Sequence, residues 1–276
     1  MFELPEMMVL ARQMSECLAG KVVQEGSLGN SPHKFVWYNR SPAEFQALTA
    51  GKVAGPAWAE GRWLFVPLEP GYLLTFGECG GKILFHAPGS TLPGKYHLLI
   101  RFQDGSALSA FTQMWGAMEL YERGEERLRP YIKDMRTTPA QPDFTFEYFN
   151  NLVEELRGLE KRSVKSLLTQ DQLIPGLGNA IAQDILFQAG LHPRHPITEL
   201  SSGQRKDLYQ AILDTLQAIL IQGGRYDEVD LFNRPGGYMR QMDKNALGRP
   251  CPSCGGKVEK IQYLGGACYF CPRCQV

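Results

Sequence analysis

No run of apolar residues in this 276-residue sequence approaches the roughly 20 needed to cross a bilayer, so a helical membrane anchor is not expected. The first residues show no basic segment followed by an apolar stretch, and a secretory signal is not expected either. No charge of one sign is in excess: 29 Lys and Arg balance 29 Asp and Glu, so the net charge does not announce a polyanionic partner. No internal repeat is visible. Three of the seven cysteines, Cys17, Cys79 and Cys268, fall outside any pairing pattern, which suits a reducing cytoplasm.

What is present is local. Cys251-Pro-Ser-Cys254 and Cys271-Pro-Arg-Cys274 stand sixteen residues apart, the spacing of a tetrahedral Zn²⁺ site in which each knuckle supplies two thiolates. Gly255 and Gly256 permit the tight turn after the first knuckle, and Lys257–Tyr263 followed by Gly265-Gly266 and Tyr269-Phe270 reads as a β-hairpin. The competing reading is a pair of disulfides. The spacing and the missing secretory signal weigh against it. So short a module cannot bury enough apolar surface to fold alone, and zinc would contribute on the order of 10 kcal/mol. Charge is local too. Residues 232–276 carry Arg234, Arg240, Lys244, Arg249, Lys257, Lys260 and Arg273 against only Asp243 and Glu259. Such an excess suits phosphate contact, and equally a solvated basic tail.

Apolar residues at 7, 10, 11, 14, 17 and 18 have helical spacing, with Pro5 tolerated in the first turn. From Val22 to Tyr121 the chain reads as β. The expected strands are Phe35–Tyr38, Trp63–Leu68, Tyr72–Phe76, Ile83–His86, Tyr96–Phe102, Ala107–Phe111 and Ala117–Tyr121. Many short strands punctuated by turns favour a sandwich or barrel. Proline-rich 129–143 reads as a linker. Helices are expected at Phe146–Leu156, Ser163–Leu168, Asn179–Ala189 and Ser202–Gln222, with Gly223-Gly224 as a C-terminal stop, and 225–249 as a loop.

The order of these elements, and three stretches of sequence, resemble the formamidopyrimidine-DNA glycosylase/endonuclease VIII family of base-excision repair enzymes. Met1-Phe2-Glu3-Leu4-Pro5-Glu6 is similar to the family's Met-Pro-Glu-Leu-Pro-Glu start. Val164–Leu168, Pro175-Gly176-Leu177-Gly178-Asn179 and Leu186–Pro193 resemble its helix–two-turns–helix, and Tyr269–Gln275 resembles the close of its zinc finger. The resemblance covers essentially the whole chain. It implies an α+β multidomain fold: an N-terminal helix and β-sandwich over 1–128, a linker over 129–143, a helix–two-turns–helix domain over 144–245, and a hairpin zinc finger over 246–276. It also implies double-stranded DNA, damaged or abasic, as partner, a monomer, and work in a bacterial cytoplasm at the nucleoid.

Residue by residue, the resemblance makes Cys251, Cys254, Cys271 and Cys274 the ligands of one structural Zn²⁺. It makes Arg62, Lys165, Gly178, Asn179 and Arg273 the DNA-binding candidates, and Glu3 the carboxylate that moves protons at the deoxyribose. Gly176 and Gly178 would let the backbone approach a phosphate, with Asn179 at a positive helix start.

The sequence departs from the family where the chemistry lies. The family's nucleophile is the amine of a proline exposed by loss of Met1; here Phe2 stands there, and its bulk disfavours that loss. The candidate amine is then that of Met1, or of Phe2. Arg62 replaces a lysine and cannot shuttle protons at neutral pH. Glu78 replaces the methionine that fills the space of an extruded base, a poor place for a carboxylate. In the loop 111–116 the wedge arginine is gone, leaving Met114 or Trp115 to take its part. Ile181 and Asp184 replace a tyrosine and a glutamate, and Gly266 replaces a phosphate-binding arginine at the finger tip. The expectation is a protein that binds damaged duplex DNA and hydrolyses the N-glycosidic bond of a modified base, with lyase activity weak or absent. The alternatives are a catalytically inactive damaged-DNA-binding module, and the standard bifunctional enzyme working through an unexpected amine.

Overall fold

The structure, a computed structural model, describes residues 1–31, 34–157 and 162–276. The chain divides into two compact units, Met1–Met135 with Leu220–Gly237, and Arg136–Ile219 with Tyr238–Val276.

The first unit opens with helix α1 (Leu4–Leu18). Pro5 sits in its first turn, and the Glu6 carboxylate accepts the Glu3 N–H at 3.0 Å, so the start of the helix is fixed by its own sequence. Strands β1 (Val23–Leu28) and β2 (Val36–Trp37) follow, then helix α2 (Pro42–Thr49), then β3 (Val53–Ala54), β4 (Trp58–Glu60), β5 (Trp63–Glu69), β6 (Tyr72–Gly77), β7 (Gly81–His86), β8 (Leu98–Phe102), β9 (Ala107–Thr112) and β10 (Gly116–Glu122). One sheet runs β1-β8-β9-β7. The other runs β2-β10-β6-β5-β3, with β4 also on β5. Every pair is antiparallel except β2 with β10.

The period of two in β5 explains its two-sided burial. Leu64, Val66 and Leu68 enter a core shared with Leu74, Phe76 and Met118 of the same sheet, with Ile83, Ile100 and Leu108 of the other, and with Met7, Leu10 and Met14 of α1. Trp63 and Phe65 face the other way, where Ile132 and Met135 pack against them. Those two residues lie in and beside a short helix, α3 (Pro130–Lys133), inside the stretch expected as linker. Arg129 explains the order there: its guanidinium lies 4.9 Å over the Trp63 ring and donates to Glu119 at 2.7 Å.

The expected strands are found, with β2 and β8 shorter than expected. The differences are α2, β1, β3 and β4, which the reading did not place. α2 carries Ser41-Pro42-Ala43-Glu44, a capping box in which the Ser41 hydroxyl accepts the Glu44 N–H and the Glu44 carboxylate accepts the Ser41 N–H.

The second unit holds α4 (Phe146–Arg157), α5 (Val164–Thr169), α6 (Asn179–Gln188) and α7 (Ser202–Ile221), whose last two residues count with the first unit, and then the hairpin of β11 (Glu259–Tyr263) and β12 (Gly266–Phe270). Leu167 and Leu168 of α5 and Ile181 and Ile185 of α6 are buried, as helical spacing requires, and Ile174 and Leu177 of the turn between them are buried as well. Residues 225–249 contain no helix or strand, in keeping with the expected loop. Part of that loop, up to Gly237, belongs to the first unit. Among the described residues no helix is long and apolar enough to cross a membrane.

Candidate functional site

In the first unit the start of α1 is buried rather than frayed. Phe2 is fully buried in the core, and its N–H donates to the Cys79 carbonyl at 3.0 Å. Met1 remains at the surface, and its amine donates to Glu228 Oε1 at 2.8 Å. Gly80 makes this approach possible: a Cβ there would lie 3.2 Å from the Met1 Cα. Met1, Gly80, Lys82, Met114, Asp227 and Glu228 line a cavity of about 230 Å³. The carboxylates lining this cavity, Asp227 and Glu228, thus come from the 225–237 segment, while Glu3 is buried next to them, 5 % exposed.

Behind the cavity stands Arg225, 1 % exposed. Its Nε and Nη2 donate to the two Glu6 oxygens at 2.9 and 3.0 Å, and Nη2 also donates to the Met1 carbonyl at 3.1 Å. Glu3 lies 3.9 Å and Glu228 3.6 Å from the same guanidinium. Burial would push the Arg225 pKa down; Glu6 first, then Glu3, overcome this and raise it, so the group stays charged. One cation therefore organises three carboxylates around the first residue. The sequence reading missed it. A lone arginine after two glycines carries little local signal, because its hydrogen-bond partners Glu6 and Met1 lie more than 200 residues away.

Arg62 and Glu78, two of the departures noted above, pair with each other at 3.1 Å. Glu78 sits in the left-handed region, with φ 51°, and Arg62 Nη1 is 3.9 Å from the Met1 sulfur. Of the two residues expected to replace the wedge, Met114 is 59 % exposed at the cavity. Trp115 is stacked on Trp37, with ring centres 5.5 Å apart and 9° between planes.

In the second unit Lys165 is buried, and its amine donates to the Tyr263 carbonyl at 2.6 Å. Asn179 opens α6 with Gly178 as its cap, and its amide donates to the Ala267 carbonyl at 3.2 Å. Both side chains are thus turned to the hairpin, and Gly266 leaves room for that of Asn179: a Cβ on it would lie 3.2 Å from the Asn179 Oδ1. Arg273 is exposed on the second knuckle. Asp184 is fully buried. It accepts the Tyr238 hydroxyl at 2.9 Å and the Met242 N–H at 2.8 Å, which ties down the chain before the knuckles, although burial holds its carboxyl above the usual range.

The sulfurs of Cys251, Cys254, Cys271 and Cys274 all lie within 4.8 Å of one another, and none is in a disulfide. The Cys251–Cys274 and Cys254–Cys271 separations are 3.8 and 3.5 Å. Four thiolates about 2.3 Å from one ion at tetrahedral angles would be about 3.8 Å apart, so the donor set fits Zn²⁺ in number, type and spacing. The Gly256 N–H at 3.4 Å, followed by the neighbouring thiols, holds the Cys254 thiol below its usual range, while burial chiefly pushes Cys271 up and the contact with Cys254 chiefly pushes Cys274 up.

Two family profiles match the chain: the formamidopyrimidine-DNA glycosylase N-terminal domain over residues 1–117, and the formamidopyrimidine-DNA glycosylase H2TH domain over residues 136–228. The chain is 28% identical over 277 residues to a formamidopyrimidine-DNA glycosylase of Bacillus licheniformis, an alignment covering 99% of this chain and 98% of the relative. A second such protein, from Lactobacillus delbrueckii subsp. bulgaricus, is also 28% identical over 99% of this chain and 98% of its own. Among solved structures, the Lactococcus lactis Fpg in complex with an abasic-site DNA superposes with a TM-score of 0.86 at 23% identity, over 99% of both chains; at that identity the likeness is one of fold. MutM (Fpg) from Thermus thermophilus gives a TM-score of 0.82 at 25% identity, over 99% of this chain and 98% of its own.

Proposed function

The chain belongs to the formamidopyrimidine-DNA glycosylase family, and on that footing we propose that it binds damaged duplex DNA and hydrolyses the N-glycosidic bond of a modified base, with little or no strand cleavage. The observation that carries the second half is Phe2. Its ring is locked in the core and its nitrogen is an ordinary peptide donor to Cys79, so no secondary amine stands where the family keeps its proline. A water molecule then takes the nucleophile's place. Its oxygen attacks C1′, the C1′–N bond breaks with its electron pair leaving on the base, and a carboxylate accepts the water proton. Glu3 is the proposed carboxylate. The amine of Met1, bonded to Glu228, is the remaining candidate for covalent chemistry.

DNA is held, in this reading, by Arg62, Lys165, Gly178, Asn179 and Arg273. Residues 1–128 supply the chemistry, while 144–245 and the finger at 246–276 supply the grip. Cys251, Cys254, Cys271 and Cys274 would hold one Zn²⁺, which contributes folding free energy to the hairpin and no reaction step. Such a protein works as a monomer at the nucleoid.

The Arg62–Glu78 pair favours a second reading, a damaged-DNA-binding module without catalysis, because a cation satisfied by its own neighbour has less to offer a phosphate. One experiment separates the two. The purified protein, its N-terminus fixed by intact mass, is incubated with duplexes carrying formamidopyrimidine-guanine or an abasic site, with and without borohydride. Base release without a trapped adduct is the expected outcome. A covalent adduct overturns the water mechanism. Tight binding with neither leaves the second reading.

A further inference from the structure

Arg194 lies in the short loop between α6 and a 3₁₀ turn at Ile197–Glu199. The loop is fastened on both sides. Towards the finger, His192 N donates to the Val276 carbonyl at 3.0 Å, Val276 N to the Gly190 carbonyl at 3.1 Å, and the Gln275 amide to the Leu191 carbonyl at 3.0 Å. The His192 ring meets Phe270 edge-on at 4.7 Å. Towards α5, Val164 N donates to the His195 carbonyl at 2.9 Å and Lys165 N to the Pro193 carbonyl at 3.3 Å. A side chain projecting from so constrained a backbone starts from a fixed point.

The guanidinium of Arg194 lies over the ring of Tyr263, 5.1 Å from its centre, where β11 enters the finger turn. The residue is exposed, and among the described residues its side chain makes no ion pair or hydrogen bond. Its neighbours already use a donor on the hairpin: the Lys165 amine donates to the Tyr263 carbonyl, and the Asn179 amide to the Ala267 carbonyl. The turn itself, Tyr263-Leu264-Gly265-Gly266, supplies no charge. Among the described residues, Arg194 is the exposed cation at this turn whose hydrogen-bonding edges are open. A guanidinium laid on an aromatic face keeps its in-plane N–H groups directed outward, and part of its side-chain entropy is already lost, which favours bidentate contact with a phosphate.

We propose that Arg194 is a phosphate-binding residue of the DNA interface, supplying beside the finger turn the positive charge that Gly266 does not. This rests on the DNA-binding reading given above. The test is the salt dependence of affinity for a duplex with a tetrahydrofuran abasic analogue, measured by fluorescence anisotropy for wild type, R194A and R194K. R194A is expected to bind about five- to tenfold more weakly, with the slope of log K against log salt shallower by about 0.9, the loss of one phosphate contact. R194K, which keeps the charge, is expected to keep the wild-type slope. Thermal melting of R194A should match wild type, because the side chain is exposed. A wild-type slope in R194A overturns the assignment while leaving the DNA reading intact. Failure of the wild-type protein to bind the duplex overturns both.

Discussion

Arg225 decides the geometry of the first residue through contacts that no local pattern encodes. Its replacement by methionine would leave Glu6 and Glu3 without this cation, and Glu228 with only the Met1 amine, in a place water hardly reaches. Removing one member of a buried ionic cluster costs about 3–5 kcal/mol, more than its desolvation saves. R225M is therefore expected to lower the urea midpoint by an amount corresponding to that range. Intact mass should still find the same N-terminus, and base release should be lost as the Met1 carbonyl loses its donor. The cysteine quartet is the opposite case. Its partners are supplied by two short spacings, so it is legible at sight, and the sulfur separations agree with it. The Arg62–Glu78 pair was half legible: each residue stood out as a departure, but only the fold shows that they satisfy one another.

Among the elements, those with a strong period were readable. α1 and α6 follow their apolar spacing, and β5 is an unbroken apolar run buried on both faces. α2 was missed although its capping box was in plain sight, because it lies in a stretch otherwise made of short strands, and eight residues give too few turns for a period to stand out. Its Phe45 is fully buried in the same core as α1, so the helix is anchored by packing as well as by its cap. S41A removes the hydroxyl that accepts the Glu44 N–H and should cost about 1 kcal/mol in chemical denaturation, with DNA affinity unchanged. A loss of affinity would give α2 a place in the interface. The stretch expected as a linker carries a short helix for a different reason. Arg129, Ile132 and Met135 cover Trp63 and Phe65, a demand set by the outer face of a sheet and absent from the composition of the segment itself.

The whole molecule was legible as an order of parts, since length, strand-rich first half, helical second half and terminal knuckles all follow from sequence. Metal content tests it at this scale. Elemental analysis is expected to find one zinc per chain; C254S, or a strong chelator, should release it, unfold the hairpin and weaken DNA binding, because Lys165 and Asn179 hold carbonyls of that hairpin. What the order of parts concealed is that the first unit is discontinuous. Its cavity carboxylate, its central cation and the core residue Leu231 arrive with Leu220–Gly237, about 85 residues after the rest of the unit has been made. During synthesis the start of α1 must therefore wait, its acidic side chains still hydrated, until residue 237 has cleared the ribosome. A nascent chain halted between Arg136 and Ile219 would carry complete sheets and no assembled site, so the capacity for chemistry is acquired late and in a single closing step.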